Sequence, residues 1–122
     1  MIVVVTYFRI RSIIRGFELF LHEHRIKKQL REMDCKGYRM RAILKDVYTM
    51  TMWETEEQMI RFARSGAHLE SMKSTARLGS QFRSVTFEAS AMPPWKEAIA
   101  KLEKDGKVVN YKDPRRPRAA RT

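Results

Sequence analysis

The chain has a single cysteine, Cys35, among 122 residues. A lone thiol excludes an intrachain disulfide and a cysteine-based metal site. Placed in "MDCKGY", a polar turn, it reads as an incidental thiol of a reducing compartment. Long apolar runs are also missing. "MIVVVTYFRIRS" is too short and too β-branched for a signal peptide or a membrane span, so it reads as a first strand. Acids are scarce, 14 Asp+Glu against 25 Lys+Arg, for a formal net charge of +11. Such an excess is the footprint of nucleic-acid or membrane-surface binders. Its distribution argues otherwise. From Lys112 onward, "KDPRRPRAART" holds five basic residues and one acid. Most of the other basic residues alternate with acids or apolar residues. The expectation is a cytoplasmic protein with no membrane partner and no nucleic-acid partner.

Several catalytic classes are excluded in the same way. There are three histidines, His22, His24 and His68. His22 and His24 point to different faces of one helix and do not chelate as a pair. No serine–histidine–acid order, glycine-rich phosphate loop or paired-carboxylate signature is present.

What is there is a clear alternation of periods. "IVVVTYFRI" (Ile2–Ile10) is β-branched and aromatic on both alternating sets, which predicts a strand covered on both sides. From Ser12 to Met33 the period becomes helical, with Ser12 as N-cap. The stripe Ile13, Ile14, Phe17, Phe20, Leu21 and His24 is its expected buried face. His24 is then a buried, hydrogen-bonded histidine or a pocket-lining one, and His22 is exposed. "YRMRAILKD" alternates as a half-exposed strand, and Val47–Trp53 follows as its hairpin partner. Thr55 caps the next helix, with Gln58 completing a capping box and acids in the first turn. Met59, Phe62 and Ala63 mark its buried stripe. Gly66 interrupts it, and it resumes over 67–76. Gln81–Ala89 is a fourth strand. Pro93 and Pro94 start a short helix that Gly106 ends.

This order, βαββαβ plus a C-terminal helix, predicts an α+β, ferredoxin-like (split βαβ) domain over residues 1–105. Residues 106–122 read as a flexible basic Pro/Arg-rich tail. Four antiparallel strands would carry two helices on one face. The other face, apolar on the first strand and rich in methionine on the hairpin, needs cover. A second copy of the sheet is the simplest cover, so a homodimer is expected.

"TMTMWETEEQMIRFARSGAH" resembles the strand–helix signature of the dimeric α+β barrel superfamily. That group includes antibiotic-biosynthesis monooxygenases, haem-degrading monooxygenases and chlorite-dismutase-like proteins. With "RSIIRGFELFLHEHRIKKQLRE", "RSGAHLESM" and "PPWKEAIAKL", the pattern is most similar to small bacterial spheroidene-monooxygenase-like proteins. The resemblance implies a monooxygenase-like protein acting on a bulky apolar or aromatic small molecule in a sheet–helix pocket, with no required cofactor. The alternatives are a haem-binding protein and a non-catalytic dimer that binds a hydrophobic ligand.

Such chemistry needs an apolar cavity and a few polar groups to deprotonate and orient the substrate. The catalytic candidates are His68, Tyr7 and Arg9. The pocket candidates are His24, Tyr38, Trp53, Phe62 and Met72. For each there is a plain packing role: Trp53 and Phe62 as core, the tyrosines as sheet-face packing with the hydroxyl at the rim. Haem-degrading relatives place a tryptophan where this chain has Phe62 and an axial histidine where it has Met72. They also place an asparagine on the first strand, absent from "IVVVTYFRI". Their triad is therefore missing. His68, one turn before Met72 on the same helical face, is the displaced candidate for iron ligation.

Overall fold

A computed structural model describes residues 1–66 and 75–112, apart from the side chains of Ile13 and Ile14. His68, Met72 and the Pro/Arg-rich end of the chain lie outside these residues. The elements in chain order are β1 (Ile2–Ile10), α1 (Ile13–Glu32), β2 (Gly37–Ile43), β3 (Asp46–Trp53), α2 (Glu56–Ala63), α3 (Thr75–Leu78), β4 (Gly79–Glu88), α4 (Trp95–Asp105) and β5 (Lys107–Asn110). The helix starts follow the capping chemistry. Ser12 accepts from the Arg15 amide at 3.4 Å and Thr55 from the Gln58 amide at 3.2 Å. Each satisfies one amide that the first turn leaves without a partner.

The strands form one antiparallel sheet in the order β2-β3-β1-β4-β5. β1 is central: Val5 faces Met50 of β3 on one side and Val85 of β4 on the other. Pleating then sorts the side chains. Val3, Val5, Tyr7, Tyr48, Met50, Met52, Val85 and Phe87 share one face. Ile2, Val4, Thr6, Phe8, Val47, Thr49, Thr51, Trp53, Phe82 and Ser84 share the other.

Both faces are covered within the chain. α1 and α2 lie over the second face, where Leu30, Trp53 and Phe62 form a buried cluster. α4 lies over the first face, where Ala98 and Leu102 join Val3, Val5 and Met50. The centre of the first face is therefore covered without a second copy, while Tyr7, Tyr48, Met52 and Val85 around it stay half-buried. The sheet also has five strands, not four. β5 adds to the edge of β4, with Val109 opposite Phe82. Residues 107–110 thus belong to the sheet and not to a tail.

The buried stripe of α1 differs from the one expected. Phe17, Phe20, Leu21 and His24 are exposed. The helix turns Leu19, Glu23, Ile26 and Leu30 toward the sheet. His22, expected to be exposed, is half-buried.

Gly79 marks a close approach of β4 to β1. It lies opposite Ile10, where the register shifts. A Cβ there would stand 2.3 Å from the Phe8 ring and 2.8 Å from the Arg9 carbonyl oxygen. The backbone oxygen cannot swing aside. Gly79→Ala should lower the unfolding free energy by about 1–3 kcal/mol, the usual cost of overpacking. A lower urea midpoint at unchanged slope is the readout.

Candidate active site

Between the helices and the second sheet face lies a cavity of about 410 Å³. Its floor is the sheet: Val4, Thr6, Phe8, Met40, Val47, Thr49, Thr51, Trp53, Phe82 and Ser84. Its roof is Leu19, Glu23, Ile26 and Leu30 of α1 with Met59 and Phe62 of α2. The volume falls in the range of small-molecule sites, which combine apolar walls with a few placed polar groups.

The polar groups form two sets. On the floor, the hydroxyls of Thr6 and Thr49 are hydrogen-bonded to each other. The Trp53 Nε1–H donates to Thr51 Oγ1 at 3.1 Å. Trp53 is fully buried, and its ring lies 5.1 Å from that of Phe62, centroid to centroid. On the roof, Glu23 is buried although it is a carboxylate. The Tyr38 hydroxyl donates to Glu23 Oε1 at 3.0 Å, and Lys27 Nζ lies 3.1 Å from the same oxygen. Lys27 also stands 5.8 Å from the centre of the Tyr38 ring. The carboxylate is thus held by a phenol from β2 and an ammonium from its own helix.

Burial, and then the neighbouring Glu23 carboxylate, push the Tyr38 phenol far above its ordinary value of 10.0. Folding therefore favours the neutral phenol. The stability this contributes is complete below pH ~10 and is lost as pH rises above it, because only the unfolded chain ionises there. Urea midpoints across the alkaline range should fall less steeply in Tyr38→Phe than in the parent chain.

The structure divides the residues picked from sequence into three groups. Tyr38, Trp53 and Phe62 meet in the cavity. Tyr7 and Arg9 do not: they lie on the opposite sheet face, bound to Asp46 at 2.5 and 2.9 Å. Period-two alternation puts Tyr7 beside Val5 and Val3, hence under α4 and not under α1. His24 does not line the cavity either, since it sits on the outer side of α1. His68 and Met72 are outside the described residues. The group that sequence reasoning missed is Glu23. Its signal was present: one acid within the aliphatic spacing Leu19, Ile26, Leu30.

Haem finds no imidazole or thiolate here among the described residues. The lining offers thioethers from Met40 and Met59 and phenols from Tyr38 and Tyr111. The Tyr38 oxygen is committed to Glu23. The described donor set does not fit an iron site of the haem-degrading kind.

Sheet order, helix placement and cavity define a ferredoxin-like α+β protein with its pocket between sheet and helices. The fold is that seen in solved structures of antibiotic-biosynthesis-monooxygenase proteins. An antibiotic biosynthesis monooxygenase superposes with a TM-score of 0.64 at 12% identity, over 75% of this chain and 100% of that one. A variant of SnoaB from Streptomyces nogalater, described as a cofactor-independent oxygenase, gives 0.59 at 12% identity, over 76% and 96%. A NIPSNAP-domain protein from Burkholderia xenovorans gives 0.53 at 15% identity, over 77% and 99%. At such identities the likeness is one of fold. No protein-family model matches the sequence, and no curated protein matches it.

Proposed function

We propose that the chain is a cofactor-independent monooxygenase that takes a bulky apolar or aromatic small molecule into the sheet–helix cavity. The observation that carries this reading is a buried carboxylate, Glu23, lining a mainly apolar cavity and oriented by Tyr38 and Lys27. A carboxylate so placed can remove a proton from an acidic C–H or O–H of an electron-rich ring. The resulting anion reduces dioxygen. A ring CH₂ becomes C=O, and the second oxygen atom leaves as water. Apolar walls exclude competing water and leave the anion few other acceptors. SnoaB, which shares the fold, is described as an oxygenase that works without a cofactor.

A cavity closed by its own side chains would have favoured a purely structural role. Met50 and Met52, which could have filled it, instead lie on the opposite face beneath α4. The homodimer expected from the sequence stays part of the proposal, with the half-buried Tyr7, Tyr48 and Met52 at the margin of α4 as its contact surface. A cytoplasmic setting remains part of the proposal.

The test is oxygen uptake by the purified, metal-free chain with an anthrone-type phenol. Uptake of one dioxygen per ketone formed is expected. Met40→Trp, which fills the cavity, should abolish both uptake and the quenching of Trp53 fluorescence by the substrate. Quenching without uptake would leave a ligand-binding protein and sink the enzymatic reading.

A further inference from the structure

α1 has a second face, and its composition is unusual. Phe17, Phe20 and Leu21 are 75%, 64% and 60% exposed. At three- and four-residue spacing they share the outer side of the helix, away from the cavity. One turn further on, the same side carries His24, Lys28 and Arg31, with Arg25 beside them, all exposed. From Phe17 to its end the helix has three acids, Glu18, Glu23 and Glu32. Glu18 is held by Arg77 and by Arg15. Glu23 is buried against Tyr38 and Lys27. The outer face therefore presents bulky apolar groups and adjoining positive charge, with Glu18 and Glu23 engaged elsewhere and Glu32, exposed at the end of the helix, the one acid set against four basic side chains.

We infer that the outer face of α1 docks the protein on an anionic lipid surface, Phe17, Phe20 and Leu21 entering the headgroup boundary while Lys28, Arg31 and Arg25 engage lipid phosphates. Charge complementarity selects this occupant. A basic amphipathic helix gains from apolar insertion and from attraction to anionic headgroups together, whereas either alone gives marginal binding. The formal charge of +11 adds attraction over the first Debye length. No helix among the described residues is long and apolar enough to cross a membrane, so the contact is peripheral. The same helix roofs the cavity with its inner face. A lipid-soluble substrate would thus meet the protein beside its site, although docking itself does not depend on the oxygenase reading.

The experiment is sedimentation of the full chain, without substrate, with vesicles of phosphatidylcholine alone and of phosphatidylcholine with phosphatidylglycerol. Pelleting is expected only with the anionic vesicles and should weaken with salt. Phe17→Ser/Phe20→Ser should reduce the affinity by tenfold or more, since two large apolar contacts are lost, with an unchanged thermal melt. Lys28→Glu/Arg31→Glu should reduce it comparably. Phe20→Trp should show blue-shifted emission on the anionic vesicles. Absence of pelleting overturns the proposal, as does equal pelleting of the Phe17→Ser/Phe20→Ser protein, which would assign binding to net charge or to the C-terminal basic residues. Conversion of a dimer to a monomer by the same double substitution would assign the face to a second copy and overturn it equally.

Discussion

Glu23→Gln should lower oxygen-dependent turnover by about 10²–10⁴-fold, the span associated with a positioned general base. The substitution is nearly isosteric, and its amide oxygen can still accept from the Tyr38 hydroxyl. Packing and the thermal melt should therefore change little, and substrate should still quench Trp53. Tyr38→Phe is the informative companion. It leaves the carboxylate and its Lys27 partner but removes the phenol that orients it. A smaller loss is expected there, divided between kcat and KM, because orientation fails while the base remains. If Glu23→Gln turns over like the parent chain, the buried carboxylate is structural and the proposed chemistry is wrong.

Trp53→Ala should destabilise the protein by about 3–5 kcal/mol, the range for deleting a fully buried large aromatic. Trp53 has no exposed surface and packs against Phe62 under α2. The Thr51 hydroxyl also loses the indole N–H that it accepts. Of a typical 5–15 kcal/mol of folding stability, that is a large share. Urea unfolding followed by far-UV circular dichroism measures it. Trp53→Phe should cost much less, since most of the ring remains. Equal costs for the two would mean that the indole N–H, not the packing, dominates.

Much of this arrangement was legible in the sequence. Ser12 and Thr55 announced their helices by capping chemistry, which is local and so survives folding. The strands announced themselves by period two. Faces were harder. α1 carries apolar residues around most of its circumference, and Phe17 and Phe20 are bulkier than Leu19 and Ile26. Bulk favoured the wrong stripe. Glu23 reinforced the error, because a carboxylate ordinarily marks a solvated face. Only tertiary partners, Tyr38 from β2 and Lys27 one turn on, make its burial tolerable. Tyr7 and Arg9 were credible polar groups on the right strand, but alternation assigned them to the face under α4. β5 was invisible because its four residues are all exposed and follow Gly106 directly. An edge strand of that length is specified by the edge of β4 and not by its own pattern.

The central place of β1 has a consequence for synthesis. β1, the earliest of these five strands to leave the ribosome, must bond to β3 on one side and to β4 on the other. Its β3 side can close once Trp53 has emerged, but its other edge stays open until Glu88. At about 5–20 residues per second, that edge waits roughly 2–7 s. During the wait, "IVVVTYF" is a bare template for strand addition by another nascent chain. Co-translational chaperone capture should therefore peak on chains stalled between β3 and β4 and drop once β4 has cleared the exit tunnel.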